Sequence, residues 1–76
     1  MFNIGDRIGA IKSADSTTVH LFGYGVFEGY KKHPELGQNP RIKLDNGKII
    51  WGFECWWSAK NKIIAAIGTR KIVKVK

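Results

Sequence analysis

The sequence holds a single cysteine, Cys55, in 76 residues. A disulfide framework within the chain and a multi-thiolate metal site are thereby excluded, and a reducing compartment, the cytosol, is the expectation. Long apolar runs are missing too: the longest, Ile63-Ile64-Ala65-Ala66-Ile67, falls far short of the roughly 18 residues a membrane span needs. The opening Met1-Phe2-Asn3-Ile4-Gly5-Asp6 carries no basic leader, so an unprocessed chain with no membrane attachment is expected. Acidic residues are scarce, 6 against 13 lysines and arginines, and none follows Glu54. The few carboxylates are scattered, so no paired acid–base arrangement for hydrolysis is visible. A chain this short buries only about 60% of the surface its unfolded form exposes, which predicts one domain over residues 1–76 and little room for a deep catalytic cleft.

What is present is positive charge, unevenly spread. The net charge is +7. Residues 1–40 are balanced, whereas residues 41–76 hold nine basic side chains against Asp45 and Glu54. Such asymmetry points to a basic face and an anionic, phosphate-bearing partner; the competing reading is a solvated surface that only keeps the protein soluble.

Most segments read as short strands separated by turn chemistry. Residues 6–14 alternate, with Ile8 and Ala10 on one face and Arg7, Gly9 and Ile11 on the other. Residues 18–30 are rich in β-branched and aromatic side chains but contain Gly23, Gly25 and Gly29, which suits a long strand that bends. Residues 31–40, with His33-Pro34 and Asn39-Pro40, read as the main loop. Asn46-Gly47 predicts a two-residue type I′ hairpin in which Leu44 faces Ile49 and Ile42 faces Trp51. That register puts Ile42, Leu44, Ile49, Trp51, Phe53 and Trp57 inside, and Arg41, Lys43, Lys48, Ile50 and Trp56 outside. Ser58 is placed to cap a short helix that runs to Ile67 and stops at Gly68. A final strand over residues 70–76 sets Val73 and Val75 against Arg70, Ile72, Lys74 and Lys76. The expected fold is mainly β: a closed, five-stranded small barrel with one short helix before the last strand.

The opening Ile4-Gly5-Asp6-Arg7-Ile8-Gly9-Ala10, the glycine-punctuated Gly23-Tyr24-Gly25-Val26-Phe27-Glu28-Gly29, the hairpin and the helical turn before a last strand resemble SH3-like small barrels of the KOW and Tudor type. The segment Trp51-Gly52-Phe53-Glu54-Cys55-Trp56-Trp57 also looks like that of short bacterial and phage proteins. The first resemblance implies a fold, not an activity.

Three tryptophans and six other aromatics exceed what one small core readily hides. Trp56 and Trp57 are adjacent, so a strand points them to opposite faces, and Trp56 is expected to be an exposed stacking platform. The alternative packs Trp56 under the helix against Ile63 or Ile67. Tyr24 and Tyr30 flank the strand glycines and are further stacking candidates, or else rim residues beside a tight bend. Phosphate contacts are expected from Arg41, Lys43, Lys48, Arg70, Lys74 and Lys76.

The spacing Gly23-x-Gly25-x-x-x-Gly29 does not match the dinucleotide fingerprint, and no helix is predicted after it. Cys55 with His20 or His33 lacks an acidic orienter, and one thiol with two histidines gives no zinc spacing. No catalysis, metal or cofactor is therefore expected. The leading functional expectation is a non-catalytic module that binds nucleic acid through a basic face and exposed aromatics. A phage-type counter-defence protein that sequesters a small nucleotide or messenger in a homo-oligomer interface is the alternative. An adaptor for an acidic or proline-rich protein comes third.

Overall fold

The computed structural model describes residues 2–75. Its elements are β1 (Arg7–Ala14), β2 (Thr18–His33), β3 (Gly37–Leu44), β4 (Ile49–Trp51), a single 3₁₀ turn (Gly52–Glu54), β5 (Trp56–Ala59), α1 (Lys60–Ile67) and β6 (Lys71–Lys74). The protein is mainly β, as its composition predicts. Its sheet runs β4-β3-β2-β1-β5 through antiparallel neighbours, and β6 joins β2 in parallel. The 16-residue β2 is shared: its first half pairs with β1 and β6, its second half with β3. The expected count of five strands is therefore corrected to six, and the ladder ends at β4 and β5 without closing among the described residues. No helix is long and apolar enough to cross a membrane among those residues.

β2 can serve two neighbours because it is interrupted. Ala10 faces Gly23 but Ile11 faces Leu21, so Phe22 is an extra residue bulged out of the ladder. A second irregularity lies between Phe27 and Tyr30, where Gly29 takes a φ of 89°. Each bulge bends the strand and re-aims a side chain. The bending creates two apolar clusters. Ile8, Ala10, Phe27, Ile42, Leu44 and Ile50 form one, with Phe2, Phe22, Cys55 and Trp57 packed against it. Ile11, Val19, Leu21, Ile63 and Ile67 form the other. Ile63 and Ile67, four residues apart, share one helix face and hold α1 against β1.

Residues 31–40, expected to be the main loop, instead extend β2 and open β3 as a hairpin with His33 facing Gly37. Both prolines are tolerated: Pro34 lies in the turn, and the ladder at Pro40 is already broken by the nearby bulge. The Asn-Gly hairpin also forms one residue out of the expected register. Ile42 faces Ile50 and Lys43 faces Ile49, which leaves a three-residue loop Asp45-Asn46-Gly47. Asn46 does not adopt the positive φ that a type I′ turn requires; only Gly47 does, at 88°. The three-residue loop is the alternative that needs just one such residue. The slip exchanges the faces. Ile50 is buried, Ile49 and Phe53 are exposed and Trp51 is half-buried, the reverse of the expectation for Ile49, Ile50 and Phe53. Trp57 packs against the first core cluster as expected.

Ser58 does not cap the helix. It belongs to β5 opposite Gly9, and α1 begins at Lys60 with no side-chain cap from Ala59. The terminal strand is shorter than expected, and all four of its residues are exposed, including Val73. Parallel pairing with the start of β2 places β6 on the rim of the fold rather than over its core.

Candidate functional site

The bulged Phe22 is the floor of a groove between the β3–β4 turn and β6. Leu44 and Ile50 complete an apolar base. Asn46, Lys48 and Ile49 line it from the turn side, Val75 from the β6 side, and Glu54 stands at one end. The cavity measures about 250 Å³. A second hollow of about 100 Å³ continues it past Phe22, Leu44 and Asn46 to Gly23, Tyr24, Asp45 and Lys74. The Val75 N–H donates to the Leu21 carbonyl at 2.9 Å, which fixes the β6 side. The Asp45 N–H donates to the Tyr24 carbonyl at 2.9 Å and fixes the turn.

Charge at this groove is mostly unopposed. Lys48 and Lys74 are exposed and have no carboxylate within ion-pair distance among the described residues. Asp45 is engaged by Arg7, whose guanidinium donates two hydrogen bonds of 2.7 Å to the two carboxylate oxygens. That fork holds the Asp45 carboxyl below its ordinary range, with Lys60 and Lys74 adding to the effect. Lys60 Nζ lies 5.1 Å from the centre of the Tyr24 ring, a cation–π contact that orients the ring at the end of the groove. The arrangement can hold an anion at the lysines and a flat or apolar group on the floor.

Of the residues expected from sequence, Tyr24, Lys48 and Lys74 meet at this groove. The others lie elsewhere. Arg41 Nε sits 3.0 Å from Glu28 Oε1 on the outer face of β3, close enough for charge attraction although its N–H is not aligned with the carboxylate. Lys43 is exposed and alternates with buried Ile42 and Leu44, so it points away from the groove floor. Arg70 donates to the carbonyls of Ala66, Ile67 and Asp15, which ties the end of α1 to the β1–β2 turn and occupies its guanidinium internally. That turn is itself held by the Asp15 carboxylate, which accepts from the Thr17 and Thr18 N–H groups; these bonds lower its pKa. Tyr30 is exposed and meets Phe27 edge-on. Trp56 is 57% exposed on β5, opposite Ile11, so the helix does not cover it. It lies at the other end of the ladder from β4, and the expected trio of Trp56, Ile50 and Lys43 on one face does not form. Lys76 falls outside the described residues.

Sequence reasoning missed Phe22, Lys60 and Glu54. Phe22 carried a signal: it falls between His20 and Tyr24 in the same strand parity, an aromatic on an otherwise polar face.

Cys55 is half-buried against the first core cluster, and its thiol lies 3.7 Å from the Trp51 carbonyl. Burial, with the nearby Glu54 charge second, pushes the thiol up to about 11. The thiolate fraction at neutral pH is then on the order of 10⁻⁴, too small for nucleophilic work. Alkylation of the folded protein by iodoacetamide is expected to be slow at pH 8 and to rise roughly tenfold per pH unit until about 11. A rate that levels off near pH 8.5 would show an ordinary, accessible thiol instead.

The chain matches no protein-family model, no curated protein and no solved structure.

Proposed function

We propose that this protein is a non-catalytic, SH3-like binding module that holds single-stranded nucleic acid in the groove between the β3–β4 turn and β6. The fold reading is supported by connectivity: four antiparallel strands, a 3₁₀ turn, and a fifth strand that returns to β1, with the long β2 shared between two halves. In this reading α1 and β6 are additions that build one side of the groove. A KOW- or Tudor-type ancestry is part of the same proposal.

The observation that carries the functional reading is the pairing of two unopposed lysines with an apolar floor. Lys48 and Lys74 stand over Phe22 and Leu44, while the local Asp45 is already neutralised by Arg7. Phosphates at the lysines and a base on the floor satisfy both halves of that surface. Binding of this kind releases counterions, so affinity falls steeply as salt rises. The test is a titration of nuclease-treated protein with a short mixed-sequence oligonucleotide, read by tryptophan fluorescence at low and near-physiological salt. Saturable quenching that weakens with salt supports the proposal; absence of binding at low salt rejects it.

Trp56 decides how far the strand extends. It is a separate platform on β5, so an oligonucleotide confined to the groove loses no affinity in Trp56→Ala. A loss of about 1–3 kcal/mol would mean that the strand crosses to β5 and stacks there.

The cavity volume supports a second reading, the sequestering of one small nucleotide. A groove of about 250 Å³ is near the lower end for a small-molecule site and is open on one side. A second copy would have to close it. Saturable binding of a mononucleotide together with dimer formation would favour this reading over the oligonucleotide.

A further inference from the structure

Glu54 is out of character with the groove it lines. Phosphate binding needs cations, and a free carboxylate at the same site opposes it. Two acids border the groove and its continuation: Asp45, neutralised by the Arg7 fork, and Glu54, which has no basic partner among the described residues. The Glu54 side chain is held in place, because its Oε2 accepts from the Trp51 N–H at 3.0 Å. A carboxylate has about four lone-pair sites, so that single bond leaves most of its accepting capacity open.

We infer that Glu54 is a base-selecting residue, accepting from the two adjacent N–H donors on the edge of guanine, so that the preferred unit of this groove is a guanine nucleotide. The inference rests on the nucleic-acid reading above and names the base it selects. Guanine offers N1–H and the 2-amino group side by side, a match to two carboxylate oxygens. Adenine and cytosine set one amino group beside a ring acceptor, and uracil flanks its single N–H with two carbonyls; each turns a lone pair toward the carboxylate. Phe22 and Ile50 supply the surface on which the base lies, and Lys48 and Lys74 take the phosphate and offset the Glu54 charge.

The experiment compares guanosine, inosine and uridine 5′-monophosphates by calorimetry, with amide chemical shifts of Asn46, Lys48 and Glu54 reporting the location. Inosine keeps N1–H and lacks the 2-amino group, so it isolates the second donor. The guanine nucleotide is expected to bind at least about tenfold tighter than the uridine nucleotide, with inosine between them. Glu54→Gln keeps an acceptor for the Trp51 N–H and leaves an exposed position exposed. It is expected to melt as the parent does and to lower guanine affinity to the uridine level without weakening uridine binding.

Equal affinities for the three nucleotides would overturn the inference, as would a guanine preference that survives Glu54→Gln. Absence of groove shifts with every nucleotide also overturns it. The oligonucleotide titration then separates the two levels. Salt-dependent binding without base preference removes only the guanine edge, whereas no binding of any kind removes the nucleic-acid reading with it.

Discussion

Gly25→Ala is expected to unfold the protein or to cost at least about 3 kcal/mol, read by chemical denaturation. A Cβ on Gly25 would lie 2.2 Å from the Lys43 carbonyl oxygen and 2.7 Å from Leu44 Cα. These are backbone atoms of the neighbouring strand, so no rotamer change relieves the clash; β2 and β3 would have to separate. Gly25 pairs with Leu44 on one side and with Ile8 on the other, inside the larger core cluster. A domain of this length has a total stability of about 4–11 kcal/mol, so the loss is a large part of it. Gly47→Ala is the control. A Cβ there meets nothing within 4 Å, and its φ of 88° is the sole obstacle, a cost of about 1–2 kcal/mol. If Gly25→Ala costs no more than Gly47→Ala, the close crossing of β2 and β3 is wrong. That crossing also supports the site, since the turn beyond Leu44 borders the groove.

The same crossing marks where the sequence is readable and where it is not. Alternation and turn residues locate β1, the bent β2, the 41–51 hairpin and α1, because each depends on residues close in the chain. Register at the hairpin was not legible. Asn46-Gly47 fits both a two-residue and a three-residue loop, and the choice rests on burying Ile50 against Ile8 and Phe27, a contact that only the assembled core supplies. One residue of slip then inverted the faces of Ile49, Ile50 and Phe53. Residues 31–40 misled for a related reason: proline and polar residues signal a loop locally, yet a hairpin arm that projects beyond the core needs no apolar face. The groove was legible only in part. Lys48, Lys74 and Tyr24 stand out by charge and by neighbouring glycines, but Phe22 reaches the floor through a bulge. Bulges arise from the mismatch of two paired strands, and neither strand encodes one alone.

Lys48→Gln combined with Lys74→Gln is expected to lower oligonucleotide affinity about 10- to 100-fold at low salt and to flatten its salt dependence. Each phosphate released from a single strand changes the log–log slope by about 0.7, so the pair accounts for about 1.4. Two side chains on different elements contribute, one from the turn before β4 and one from β6. The effect therefore tests the groove as a unit rather than either lysine alone. Loss of net charge must be separated from loss of the site. Lys12→Gln combined with Lys62→Gln removes the same two charges from exposed positions that do not line the groove. If the +7 charge acts only as a diffuse field, the two double variants weaken binding equally and their slopes fall together. If the groove holds the phosphates, the Lys48 and Lys74 pair loses far more, and the control keeps the parent slope. Both lysines are solvent-exposed and take no part in an ion pair among the described residues, so neither double variant is expected to change the melting temperature appreciably. An affinity difference measured between them is then a property of binding and not of folding.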